Sequence, residues 1–145
     1  AVRFFCSREG SGPDSIKCVR ALARWRDHQI FSVYLDTFVE NLKGVYDDSS
    51  LSFDEKVAQR EVIFAEALTT FDAEVSPQFE ALTFGGFRNT PLNNATLMSR
   101  IRYYNKLPAF DAFLASHGGD LVAALDDLKA RSGTVDDPFD LLPPM

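Results

Sequence analysis

Residues 15–45 read SIKCVRALARWRDHQIFSVYLDTFVENLKGV, and this stretch decides the fold class. It contains no proline, and no glycine before Gly44, so nothing interrupts a helix along most of its length. Ile16, Val19 and Leu22 open an apolar stripe, and Ile30, Val33, Tyr34, Phe38, Leu42 and Val45 continue it at helical spacings. Trp25 and Phe31 fall off that stripe and imply a second contact surface. Asp14 or Ser15 can cap the helix by accepting hydrogen bonds from its first free amides. Asp47, Asp48, Ser49 and Ser50 then form a turn, and Ser52 with Glu55 fits a reciprocal capping box for a second long helix. The stripe of that helix is Val57, Phe64, Leu68, Phe71 and Val75, and Pro77 should end or kink it near Val75. So short a turn between two long helices implies an antiparallel helical hairpin.

Outward from the hairpin the elements are shorter. Residues 1–9 fit the last turns of a preceding helix, closed by Gly10 and followed by the break Gly10-Ser11-Gly12-Pro13. Residues 77–92 read as a loop, with Gly85-Gly86 among Phe79, Phe84 and Phe87, pinned by its aromatics. Short helices are expected over 94–104, 108–116 and 120–129, with Pro108 in a first helical turn and Asp120 as a cap after Gly119. The expected fold is therefore all-α: a long antiparallel helical hairpin followed by several short helices, one domain over 1–133. The tail 134–145, TVDDPFDLLPPM, is expected to fray.

With 145 residues, 46% apolar content and thirteen phenylalanines, the chain has material for one well-formed core. A net charge of −6 argues against nucleic acid as a partner, because affinity for phosphate backbones rests on Lys and Arg. Lys17, Arg20 and Arg24 nevertheless share one helical face, a solvated surface or a contact for an acidic partner or anionic lipid. No apolar run reaches the roughly 18 residues that cross a bilayer. The start, AVRFFCSREG, lacks the apolar region of a signal peptide and reads as the inside of a helix, as in a fragment of a longer protein. Cys6 and Cys18 flank a turn that can fold one segment onto the other; two buried free thiols and a disulfide are both open.

Catalytic patterns are sparse. A helical zinc hydrolase site needs two histidines four apart with a glutamate beside the first, and only His28 and His117 are present. There is no G-x-S-x-G nucleophile elbow and no P-loop lysine, and the paired aspartates fall in turns or near element ends. Polar content of another kind collects in residues 91–121, PLNNATLMSRIRYYNKLPAFDAFLASHGGDL. Asparagine amides can hold a peptide backbone by donating and accepting together, and tyrosine hydroxyls can polarise a carbonyl. Asn93, Asn94, Tyr103 and Tyr104 are accordingly the candidate substrate-binding residues, set against a plainer reading in which the asparagines cap and turn and the tyrosines pack.

This segment resembles the C-terminal part of a family of bacterial predicted zinc aminopeptidases. The match runs through Leu92-Asn93-Asn94-Ala95, Leu97, Tyr103-Tyr104, Pro108-Ala109-Phe110, Leu114 and Gly119-Asp120-Leu121. The start is similar to the helix after the family's N-E-x-x-A segment, so the likeness spans nearly the whole chain, with specific motifs only in 92–121. The resemblance implies a zinc peptidase of the H-E-x-x-H type whose metal-binding part precedes this chain. No metal ligand or catalytic residue is then expected here, zinc is expected in the longer parent, and the isolated chain should be inactive. Asn93, Asn94, Tyr103 and Tyr104 would face a cleft shared with the N-terminal metal-binding part and hold peptide substrate. Family members resemble exported, often lipid-anchored proteins, which implies the bacterial periplasm or envelope and favours a Cys6–Cys18 disulfide. The competing expectation is a non-catalytic helical interaction module using Lys17, Arg20, Arg24, Trp25 and Phe31.

Overall fold

The computed structural model describes Cys6, Gly12 and residues 14–144. Among them every regular element is helical and no strand occurs, so the all-α expectation holds. The expected helix end over 1–9 and its closure at Gly10 lie outside the described residues, apart from Cys6, which is helical. The chain divides after Asn105 into two compact units.

In the first unit α1 spans Ile16–Asp47, and the Ser15 hydroxyl accepts from the Cys18 amide at 3.2 Å. Asp48 shapes the turn by accepting from the Ser50 amide at 2.8 Å. α2 (Phe53–Thr70) then starts on the expected capping box, the Ser52 hydroxyl accepting from the Glu55 amide and the Glu55 carboxylate from that of Ser52. Both motifs satisfy amides that have no partner within the helix, which is why the boundaries were readable. The second helix ends near Val75, as Pro77 implies, but not abruptly. It runs into a widened π turn, Phe71–Val75, and a 3₁₀ turn, Ser76–Gln78, that holds Pro77 in its first positions. A one-turn α3 (Gly85–Arg88) and α4 (Asn94–Tyr104) complete the unit.

The core is laid down by Phe31, Leu35, Phe38 and Leu42 of α1 against Phe64, Ala67, Phe71 and Val75, with Phe87 and Leu97 closing it. Phe31 is therefore the centre of the core and not a second surface. Its ring stacks on Phe84 at 4.2 Å and meets Phe71, Phe87 and Tyr104 edge-on. Ile16, Val19 and Val33, expected on the buried stripe, are more than half or about half exposed. A 32-residue helix has apolar residues on more than one face, and periodicity alone cannot say which face has a partner. Cys6 and Cys18 form a disulfide, with Cα atoms 5.3 Å apart and Cys18 buried, so the free-thiol alternative is overturned.

The second unit holds α5 (Leu107–Ser116) and α6 (Leu121–Arg131) around Ala109, Phe113, Ala124 and Leu142. Gly118 and Gly119, at φ 63° and 81°, make the left-handed exit from α5 that a side chain would resist. Asp120 caps α6 by accepting from the Val122 and Ala123 amides at 2.9 and 3.1 Å. Within the stretch expected to fray, Asp137 caps a 3₁₀ turn, Pro138–Leu141, and the apolar pair Leu141-Leu142 is buried.

Candidate functional site

α4 and its N-cap hold all four sequence-derived candidates and use them differently. Asn93 is spent on the helix start: its Oδ1 accepts from the Thr96 amide at 2.9 Å, while its own amide donates to the Thr96 hydroxyl at 3.0 Å. Asn94, the first helical residue, is free of that task. Its side chain faces Tyr46 of α1, whose hydroxyl lies 3.0 Å from Oδ1 and 2.9 Å from Nδ2. The pair is exposed; the Tyr46 hydroxyl also meets the Arg60 side chain of α2, so the capacity left open to solvent is that of the Asn94 amide.

At the other end of α4, Tyr103 is 72% exposed, while Tyr104 turns inward. The Tyr104 ring packs on Phe31 at 4.9 Å, His28 at 5.6 Å and Phe84 at 6.0 Å, and its carbonyl accepts from the buried Ser32 hydroxyl. Burial pushes the Tyr104 phenol up, with Arg100 one turn away opposing, so it stays protonated near neutrality. From Asn94 to Tyr103 the helix rises about 14 Å. The structure thus brings Asn94 together with Tyr46 and Tyr104 together with His28, and keeps these two pairs at opposite ends of one helix.

The loop beside Tyr104 is built around a carboxylate that the sequence did not flag. Asp27 is fully buried, and its oxygens accept from the backbone amides of Glu80 (3.0 Å), Ala81 (2.7 Å) and Leu82 (2.8 Å). Three amides converging on one carboxylate fix the backbone of the loop far more tightly than its composition implies. Arg26 adds an exposed ion pair to Glu80. The loop then turns through Phe84, a non-glycine residue at φ 46°, whose stacking on Phe31 keeps it in that unfavourable region. Arg100 of α4 closes the far side, donating to the Gly86 carbonyl at 2.6 Å with its guanidinium 5.2 Å from the centre of the Phe87 ring. His28, between Phe84 and Tyr104, is held below the ordinary histidine value by burial and then by Arg24, with Asp27 opposing.

The signal for Asp27 was its register. It lies four residues before Phe31 and eight before Leu35, on the face that is buried, where a carboxylate needs partners. Tyr46 and His28 carried no local signal, because both meet partners distant in sequence.

The histidines do not assemble a metal centre. In the second unit, His117 points Nδ1 at the Phe113 carbonyl (2.9 Å) and Nε2 at Asp127 (3.4 Å), which Arg131 also holds. Among the described residues no three His, Cys, Asp or Glu side chains are grouped so as to hold a metal ion. Nor is any helix among them long and apolar enough to cross a membrane. These residues do not fit a catalytic zinc, and no hydrolytic step is assigned to them.

A family model described as "Putative aminopeptidase" matches residues 3–134. Comparison with curated proteins and with solved structures returned no match.

Proposed function

The chain belongs to the aminopeptidase family whose model covers residues 3–134, and from that premise we propose that it is the C-terminal helical portion of a zinc-dependent aminopeptidase. The metal is held by an upstream part of the same protein, and this chain lines the peptide cleft beside it. By itself the chain cleaves nothing. The observation that carries the cleft role is the exposed Asn94–Tyr46 pair at the start of α4, in which Tyr46 fixes the Asn94 amide on rigid helices and the amide keeps capacity to bind a peptide backbone. Tyr103, exposed at the other end of α4, is the second contact on the same helix, while Asn93 and Tyr104 set the helix start and the adjoining loop. The Cys6–Cys18 disulfide fits an oxidising compartment and supports placement in the bacterial periplasm or envelope.

The test is replacement of Asn94 by Ala and of Tyr103 by Phe in the full-length enzyme. Each should lower kcat/KM roughly tenfold, the size of one or two lost hydrogen bonds, with helicity unchanged. Unchanged turnover in both folded variants would remove α4 from the cleft. The alternative, a non-catalytic interaction module, draws on the exposed basic face of Lys17, Arg20 and Arg24 with Trp25, and on the exposed Ile16, Val19, Leu22 and Val33; Phe31, expected on that surface, is buried. Those residues predict capture of a protein partner without any bound metal.

A further inference from the structure

The two ends of α1 carry opposite charge, and each exposes apolar side chains. At the first end Ile16, 72% exposed, stands with Val19 and Leu22 among Lys17, Arg20 and Arg24, all of them exposed. At the other end, in the turn into α2, Phe53 is 79% exposed and is flanked in the chain by Asp47, Asp48, Asp54 and Glu55, also exposed. No ion pair among the described residues engages any of these charged groups. Asp48 and Glu55 accept from the Ser50 and Ser52 hydroxyls, which lowers their pKa values and favours the charged forms. Asp14 at the first end and Lys56 at the second reduce the contrast without reversing it.

From Ile16 to Asp47 the helix rises about 45 Å, against a screening length of about 8 Å at physiological salt, so the two ends neither touch nor neutralise each other within one chain. Each end offers what the other lacks: an aromatic side chain with carboxylates at one, aliphatic side chains with cations at the other. An apolar anchor inside a complementary charged rim is the usual anatomy of a protein interface. We propose that this chain associates head to tail with a second copy of itself. Phe53 of one copy seats on Ile16, Val19 and Leu22 of the next, and the carboxylates around it meet Lys17, Arg20 and Arg24. The contact joins two different patches, so repetition builds a ring or an open chain. It does not rest on the aminopeptidase reading.

The experiment is sedimentation equilibrium of the 145-residue chain from about 10 μM to about 1 mM, the range suited to a small interface. The average mass should rise with concentration. Raising salt from about 0.1 M to about 1 M shortens the screening length from about 10 Å to about 3 Å and should weaken the association about threefold or more. Lys17→Glu with Arg20→Glu disables one end, and Asp47→Lys with Phe53→Ser disables the other. Glutamate near the start of α1 and lysine at its end suit the helix dipole, and circular dichroism checks that both variants fold. Each variant alone should lose roughly tenfold or more in affinity. Their equimolar mixture should form a 1:1 complex with the parent's affinity, because it restores one intact contact, which non-specific aggregation would not do. A parent that stays monomeric, folded variants that associate as the parent does, or a mixture that gains nothing over its components would each overturn the proposal. So would a monomeric parent that binds vesicles containing phosphatidylglycerol, which would assign the basic end to an anionic lipid surface.

Discussion

Replacing Asp27 by Asn changes one atom of a side chain that organises a whole loop. In the native protein one carboxylate oxygen accepts from Glu80 and the other from Ala81 and Leu82, all within 3.0 Å. Hydrogen bonds to an ionised group contribute about 1.5–3 kcal/mol each, and a buried donor left without a partner costs about 1–3 kcal/mol. Asparagine can keep its oxygen where two amides converge, but it then turns an amide group towards the third. Two bonds survive in weaker, neutral form, and the Glu80 amide loses its acceptor. The sum is a loss of about 3 kcal/mol, against about 5 kcal/mol for Asp27→Ala, which strands all three donors. Chemical denaturation gives the total, and amide hydrogen exchange gives the location. Protection should fall at Glu80, Ala81 and Leu82 while α2 keeps its own. A variant within about 0.5 kcal/mol of the parent, with those three amides still protected, would refute the view that Asp27 holds the loop.

Phe31→Ala should cost about 3–5 kcal/mol by denaturation, since it empties the centre of the aromatic core; a loss below about 1 kcal/mol would mean the core re-forms around Phe84. Asn93→Ala should cost about 1 kcal/mol by removing the α4 cap, whereas Asn94→Ala should leave stability nearly unchanged. Reducing the Cys6–Cys18 bridge should destabilise the first unit by about 3 kcal/mol, the entropy of a short closed loop, measured by denaturation with and without reductant. His28 sets a pH dependence of definite sign. Its folded value lies below the ordinary 6.5, so the unfolded chain takes the proton first, and stability falls as pH drops through 6.5 towards the folded value. His28→Gln should flatten that decline in denaturation curves taken across the range; an unaltered slope would place the titration elsewhere.

The hairpin was legible in the sequence because its boundaries are local: Ser15, the Ser52–Glu55 box and the Asp48 turn satisfy amides within a few residues. The same holds for Asp120 and the Gly118-Gly119 exit. The buried face of α1 was legible in its second half, where Ile30, Tyr34, Phe38 and Leu42 of the expected stripe lie in or against the core, but not in its first. Ile16-Val19-Leu22 and Phe31-Leu35-Phe38 both repeat with helical period, and only the long-range contacts of Phe31 and Leu35 select the second. For the candidate site, the sequence located α4 and its polar residues but not their partners. Tyr46 reaches Asn94 across 48 residues and Asp27 reaches Ala81 across 54, and no local pattern encodes such pairings. The chemistry of the family entered through motif resemblance and the family match, since the described residues contain no metal-binding group.

The central claim is that this helical chain completes a zinc aminopeptidase whose metal site lies upstream. It is tested most directly by expressing the protein extended upstream through its preceding domain and measuring bound zinc together with cleavage of a series of amino-acid arylamides. The account predicts one zinc per chain and cleavage that a chelator abolishes and zinc restores. A folded extended protein that binds no zinc and cleaves none of the series would contradict it.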